Sequence, residues 1–270
     1  MKKFRILIIL ILLLSIIQII IKTYDYYYEE PFKTGEVISI TPSKEELLNN
    51  YNENKEKLKE EELIIENNIE FIEENTESSN NIIINEQKLY SENVKGYLSV
   101  DGIDINNEPI LQHENDNEYY LTHNEYDEYS IWGSYFVPIN WNLNSIDELQ
   151  QVTIIFGHNN NSREHPRFSL LKKFKDIDFA NKNQFIYLTI NNETSIWQIF
   201  AVADYPIEPN YVIANPDKEY FLNEINLIKE YSYNKYSLEI SEFDKILILS
   251  TCSGQKKYDT RFIVCAKLLN

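Results

Sequence analysis

Two apolar, β-branched runs near the C-terminus each adjoin a side chain that could do chemistry. Residues 245–252, KILILSTC, end on Cys252, and residues 261–268, RFIVCAKL, begin with Arg261. Both runs are typical of strands, and the polar segment between them predicts a hairpin with Cys252 and Arg261 opposite each other. A fixed cation beside a thiol favours the thiolate, so Cys252 is a candidate nucleophile. The alternative is a buried, inert strand cysteine beside an ordinary strand-edge charge.

His158 also stands where an apolar run stops. Residues 152–156, VTIIF, predict a buried strand, and the sequence Gly-His-Asn follows it. An imidazole can protonate a departing amine and later deprotonate an incoming one. A guanidinium has a permanent charge and forked donors, which can hold substrate carbonyls or a developing oxyanion. Although His158 alone would fit a structural or surface role, with Cys252 and Arg261 it predicts a thiol acyl-transfer site.

The second cysteine, Cys265, is expected to be buried and inert. If Cys252 faces Arg261, then Cys265 faces position 248, about four residues from Cys252 along the strand, or roughly 13 Å. A disulfide needs Cα atoms within about 7 Å, so the hairpin disfavours one, although a disulfide is the alternative in an exported protein.

Charge and the first residues restrict the partners and the location. The formal net charge of −18 argues against a nucleic-acid partner, because phosphate binding needs a basic surface. Residues 1–22 begin with a basic pentapeptide and continue as an apolar run, which predicts a membrane anchor with a cytoplasmic N-terminus. A cleaved signal peptide is the alternative, but no small-residue cleavage pattern follows the run.

Residues 23–90 are polar and acidic, and we expect them to form a helical spacer. Ser43, with Glu46 three residues later, predicts a capped helix start. An apolar stripe then recurs at spacings of three, four or seven, from Leu47 to Ile72. A helix lying partly on the following domain fits this stripe, and a coiled-coil dimer stalk is the alternative.

Residues 91–270 are expected to form a mainly β domain with added helices. Many short strands with turns between them predict a closed, antiparallel-rich barrel. A longer helix is expected after Asn215-Pro216-Asp217, with Asn215 as its cap, Pro216 in its first turn and Phe221, Ile225 and Ile228 buried. Short helices are predicted at 146–149 and 168–174. The predicted strands are 96–102, 108–112, 118–122, 133–137, 151–156, 185–190, 196–203, 245–251 and 262–268.

The motifs together resemble the sortase family, membrane-anchored transpeptidases of Gram-positive bacteria. The resembling segments are 117–124 (NEYYLTHN) with Gly133-Ser134, 156–159 (FGHN) with 168–174, and the cysteine hairpin with its Leu-Ser-Thr-Cys. The layout is similar to class B, and implies a closed sortase-like barrel with an N-terminal helix and a long helix before the cysteine strand. One departure is Val137-Pro138, where the family usually has an acidic residue.

The resemblance implies a cysteine transpeptidase that cleaves a C-terminal sorting motif after threonine. It would hold the acyl group as a thioester on Cys252 and pass it to an amine of peptidoglycan precursor or of a pilin. Asn117 and Leu121 would line the groove for the sorting peptide, and Ser250, two residues before the cysteine, would face the same groove by strand alternation.

The partners implied are surface proteins that carry the sorting motif, outside a single-pass cell-membrane anchor. No cofactor or metal is expected. Two other classes of protein stay open: a thiol hydrolase of cell-wall peptides, and a membrane-tethered binding domain with no activity.

Overall fold

The computed structural model describes residues 33–57, 90–160, 166–206, 213–252 and 260–269. The predicted anchor, residues 1–22, lies outside these residues, as does the spacer from 58 to 89. Within the described ranges, no helix combines the length and apolarity that a membrane span requires. The domain boundaries at 22 and 90 stay predictions, although the described residues from Thr34 onward belong to one compact unit with the barrel.

Eight strands of the described residues close into a barrel in the order β10-β7-β6-β2-β3-β4-β5-β9. This confirms the predicted fold class. A separate parallel pair joins β1 to β8. The strands are β1 (Glu36–Val37), β2 (Val94–Val100), β3 (Glu108–Leu111), β4 (Tyr135–Phe136), β5 (Val152–Phe156), β6 (Phe185–Ile190), β7 (Glu193–Pro206), β8 (Lys235–Tyr236), β9 (Ile246–Cys252) and β10 (Thr260–Leu268).

Side-chain alternation along the strands gives the barrel two apolar faces. Leu249 and Val264 belong to the cluster that fills the interior. Their neighbours Ile248 and Ile263 belong to a second cluster, which includes Phe221 of the long helix. Strands buried on both faces are continuously apolar rather than alternating, which explains the sequence of 246–249.

The long helix runs over Lys218–Tyr231, and its buried residues are the predicted Phe221, Ile225 and Ile228. The prediction of its start is wrong by two residues. Asp217 is the cap, and its carboxylate accepts a hydrogen bond from the Tyr220 N–H at 2.9 Å. Asn215 instead accepts from the Gln151 N–H at 3.1 Å, because this loop also has to satisfy the start of β5. We call Ile177–Lys182 helix α2 and Lys218–Tyr231 helix α3.

The described part of the spacer contains helix α1, residues 44–57. The predicted cap is confirmed, since the Glu46 N–H donates to Ser43 Oγ at 3.1 Å. Leu47 and Tyr51 are buried against Phe185, Tyr187 and Ile196 of the barrel. Tyr51 stacks on Tyr187 with ring centroids 4.5 Å apart. This segment therefore lies on the domain, as the spacer interpretation expects.

Two other local predictions differ from the structure. Residues 118–122 were expected to be a strand, but Tyr119–Leu121 form a 3-10 helix. Tyr119 stacks between His113 and His123, with centroid distances of 4.3 and 3.9 Å, so ring packing outweighs the strand propensity of the tyrosines. Residues 146–149 form a turn rather than a short helix. The 3-10 helix Phe168–Lys175 confirms the remaining short helix.

Candidate active site

The three strands that carry or adjoin the predicted catalytic residues are neighbours in the barrel. β5 pairs with β9 in parallel, with Phe156 opposite Ser250. β9 pairs with β10 in an antiparallel ladder, with Cys252 opposite Arg261 as predicted. His158 follows Phe156 by two residues and Cys252 follows Ser250 by two, so the two positions lie at the same level of adjacent strands, which are about 4.8 Å apart.

The outer face of the barrel near this rim is apolar on all three strands. Val152 and Ile154 of β5, Ile248 of β9 and Ile263 of β10 pack outward against the cluster beneath α3. Positions an even number of residues from these share their face along a regular strand, which places Arg261 on the outer side of the barrel rim. Sequence position alone does not bring these residues together; the order and register of the strands do.

The imidazole of His158 is held by the 3-10 segment. Its Nε2 lies 2.7 Å from the carbonyl oxygen of Leu121. A carbonyl can only accept, so Nε2 carries the proton in this bond and Nδ1 is left as the imidazole nitrogen without a proton in the neutral ring. The backbone is held as well, because the Phe168 N–H donates to the His158 carbonyl at 2.9 Å. The half-buried imidazole is thus oriented before any substrate binds.

Two glycines allow this close packing. A Cβ at Gly157 would lie 2.7 Å from the Phe168 ring and 3.0 Å from the Tyr135 ring. Gly133 has a φ of +52°, and a Cβ there would lie 2.4 Å from the Tyr120 carbonyl oxygen and 2.9 Å from Cδ2 of His158. A side chain at either position would displace the histidine or the segment that holds it.

Cys265 contrasts with the candidate nucleophile. It is fully buried and not in a disulfide, and it pairs with Ile248 as predicted. Burial raises the pKa of the Cys265 thiol far above its ordinary value, because the thiolate is poorly solvated in an apolar interior. The prediction that Cys265 is buried is therefore confirmed, and its raised thiol pKa supports the expectation that it is inert.

The predicted substrate residues lie in different environments. Asn117 is exposed, and its Oδ1 accepts from the Ile139 N–H at 2.7 Å. Leu121 is half-buried and packs against the cluster of Leu111, Tyr120 and Phe136. Ser250 has no exposed surface. It lies on the strand face that leads to Cys252, and a contact between Ser250 and substrate stays a prediction.

A buried cluster of charged side chains beside His158 was not predicted from the sequence. Arg167 pairs with Glu125 at 3.1 Å and lies 3.9 Å from Glu108. Burial raises the pKa of Glu108, and the Arg167 charge opposes that rise. No local signal marks these residues, because an arginine after a proline in a polar loop is normally exposed. In the described part of the chain, no three His, Cys, Asp or Glu side chains are grouped as metal ligands.

Comparison with known proteins finds sortases. No protein-family model matches the chain. Sortase B of Listeria monocytogenes is 31% identical over 189 residues, which cover 68% of this chain and 72% of that protein. The solved structure of Clostridium perfringens sortase B is 28% identical, with a TM-score of 0.58 over 66% of this chain and 94% of that one. A Staphylococcus aureus sortase B–substrate complex, 22% identical, has the same fold with a TM-score of 0.58 over 67% of this chain and 82% of that one.

Proposed function

This chain belongs to the class B sortase family of transpeptidases, and from that premise we propose that Cys252, His158 and Arg261 are its catalytic residues. The observation that carries the proposal is the register that brings the three strand ends side by side. If Cys252 were an inert strand cysteine and His158 an ordinary surface histidine, there would be no reason for a cysteine, a histidine and an arginine to meet at one rim of the barrel.

In the proposed reaction the thiolate of Cys252 attacks the carbonyl carbon of threonine in a C-terminal sorting motif. The C–N bond after threonine breaks, and His158 protonates the departing amine. The acyl group remains as a thioester on sulfur. An incoming amine, deprotonated by His158, then attacks the thioester, an amide forms, and Cys252 leaves as the thiolate while His158 is protonated again.

Arg261 would stabilise the oxyanion of both tetrahedral intermediates. Its backbone is fixed on two sides, because it pairs with Cys252 on β9 and with Tyr205 on β7. A donor held by a β-ladder needs little reorganisation when charge develops on the carbonyl oxygen. The forked guanidinium can also contact a second substrate carbonyl, which a lysine would do less well.

The substrates and location follow from the same proposal. Sorting-motif-bearing surface proteins are the acyl donors, and the acceptor is an amine of peptidoglycan precursor or of a pilin. Asn117, Leu121 and Ser250 contact the sorting peptide. Residues 1–22 anchor the protein in the cell membrane with the N-terminus in the cytoplasm and the catalytic domain outside, so that enzyme, donor and acceptor share one surface.

A test combines a library of sorting-motif peptides with an added amine. Mass spectrometry of the protein should show an acyl adduct on Cys252, and the peptide fraction should contain the amide transfer product. Hydrolysis alone, with no transfer at high amine concentration, would instead indicate a thiol hydrolase. Absence of both an adduct and peptide cleavage across the library would contradict the proposed catalysis and favour a binding domain.

A further inference from the structure

The buried charged cluster joins the two segments that meet at His158. The side chain of Arg167 is 7% exposed, and its Nη2 donates to Glu125 Oε2 at 3.1 Å. Its guanidinium also lies 5.4 Å from the ring centre of Tyr135. An unpaired charge at this depth would be strongly destabilising, so the partners of Arg167 largely determine where its loop can lie.

One end of this ion pair adjoins the histidine. Arg167 forms an isolated antiparallel bridge with Asn159, the residue after His158. The next residue, Phe168, donates its N–H to the His158 carbonyl. A displacement of Arg167 would therefore be transmitted to the His158 backbone through two adjacent contacts.

Glu125, the other partner in the ion pair, belongs to the segment whose Leu121 carbonyl accepts the hydrogen bond from the His158 imidazole. Glu125 lies four residues after Leu121, and its own carbonyl accepts from the Ser91 N–H at 2.8 Å. The ion pair and the 2.7 Å bond from His158 Nε2 to Leu121 thus connect the same two segments. Two tethers between the same segments fix their separation better than either does alone.

The backbone of Arg167 supports a specific role for this side chain. Its φ is 47° and its ψ is −134°, a region that costs a non-glycine residue on the order of 1–3 kcal/mol. Among the described residues its Nε has no hydrogen-bond partner, so the contacts to the two carboxylates and to the Tyr135 ring are what hold the guanidinium.

We propose that Arg167 is a positioning residue for the acid/base histidine. Its pair with Glu125 holds the 3-10 segment and the His158 loop at the separation where Nε2 donates to the Leu121 carbonyl. The bond keeps the proton of the neutral imidazole on Nε2 and presents Nδ1 as the nitrogen that exchanges protons with substrate. The catalytic consequence rests on the proposed function, whereas the tautomer does not.

The test measures the tautomer directly in the full chain. Long-range ¹H–¹⁵N NMR of the ¹⁵N-histidine-labelled protein without substrate should show His158 as the Nε2–H tautomer, with its signals assigned from a His158→Gln spectrum. Arg167→Met and Glu125→Gln should each give a mixture of tautomers. In the sorting-peptide assay both should lower kcat on the order of tenfold, because a small misplacement of a catalytic group is costly, with a smaller change in KM.

The double variant should be no more impaired than the worse single variant, because both substitutions break one interaction. Lys267→Met is the matched control, since Lys267 pairs with Asp244 at 3.0 Å and is 22% exposed, at the opposite end of β10 from Arg261. It should lower Tm without changing the His158 tautomer.

The proposal would be overturned if Arg167→Met and Glu125→Gln both keep the wild-type His158 tautomer and kcat and lose only stability. If Arg167→Met does not fold, Glu125→Gln decides, because it leaves Arg167 beside Glu108. Since the NMR measurement needs no substrate, a wild-type protein that transfers no peptide would contradict the proposed function without deciding the role of Arg167.

Discussion

Cys252 and Arg261 are direct partners in the antiparallel pairing of β9 with β10. Residues opposite each other in such a ladder have Cβ atoms about 4.5–5.5 Å apart. The hairpin therefore holds a permanent cation next to the position of the candidate nucleophile. The pairing depends on a ladder that continues down to Lys267 and Ile246, so it does not rely on the connecting loop.

The two cysteines should behave oppositely on substitution and alkylation. Cys252→Ala should abolish cleavage of sorting-motif peptides, because no other residue can supply the thioester. Cys265→Ala should retain activity and lose about 1 kcal/mol of unfolding free energy, through a small cavity. Iodoacetamide on the native protein should label Cys252 first, as measured by peptide mass spectrometry. Full activity of Cys252→Ala, or preferential labelling of Cys265, would refute this assignment.

Substitution of Arg261 should affect the chemical step. Arg261→Met should lower kcat about 10²–10³-fold, which is the usual cost of losing one oxyanion donor. Arg261→Lys should lie between that variant and wild type, since it keeps the charge but not the fork. Steady-state kinetics with a cleaved peptide measure this, and Lys267→Met on the same strand is the control. An Arg261→Met enzyme with unchanged kcat would exclude the proposed role.

Gly157→Ala should destabilise the protein and impair catalysis together. The added Cβ would lie 2.7 Å from the Phe168 ring, and overpacking of this kind costs about 1–3 kcal/mol. Since His158 is the next residue, kcat should also fall. Phe168→Leu in the same chain should recover part of the loss by making room.

Gly35→Ala provides the control for this substitution, because its Cβ would meet only the flexible Ile177 side chain, at 3.3 Å. It should change neither kcat nor Tm appreciably. Denaturant unfolding and peptide kinetics on the three variants and wild type give the comparison. Equal effects of Gly157→Ala and Gly35→Ala would show that the contact with Phe168 does not constrain the site.

The pH dependence of stability should reveal Asp101, which lies between α1 and the barrel. Burial raises the pKa of its carboxyl from 3.8 to about 6. Between these values the folded state binds more protons than the unfolded state, so this group makes stability fall as pH rises from about 4 to 6. Above pH 6 the charged carboxylate remains as a constant penalty.

Asp101→Asn should therefore unfold at higher urea concentration than wild type at pH 8, and the difference should shrink as pH falls toward 4. Asp104→Asn, which removes an exposed carboxylate nearby, controls for the change in net charge. A difference between Asp101→Asn and wild type that is the same at pH 4 and pH 8 would contradict this effect of burial.

The described part of the spacer should contribute to the stability of the catalytic domain. Leu47 is 6% exposed, and truncation of a buried leucine costs about 2–5 kcal/mol. Leu47→Ala should therefore lower the urea midpoint substantially, whereas Asn49→Ala on the exposed side of the same helix should change the unfolding free energy by no more than about 0.5 kcal/mol. Equal midpoints for the two variants would mean that α1 does not stabilise the barrel.

Local sequence determined the elements that carry the site. The strands predicted at 151–156, 245–251 and 262–268 lie within two residues of the observed ones, and the pairing of Cys252 with Arg261 and the Ser43 cap could also be predicted. Each depends on residues that are close in the chain: apolar runs, turn residues between them, and a side chain three residues from the N–H that it caps. The position of His158 after a predicted strand distinguished it among the four histidines, and the sortase resemblance supported that choice.

Only the tertiary structure decided how those elements meet. The parallel pairing of β5 with β9, with Phe156 opposite Ser250, joins strands that are distant in sequence, and closure of the whole barrel sets its register. Burial of Arg167 and the 3-10 turn at Leu121 likewise depend on partners from other segments. Short-range patterns contain no information about which distant side chain will satisfy a charge or a carbonyl, so the bond that orients His158 became visible only in the folded chain.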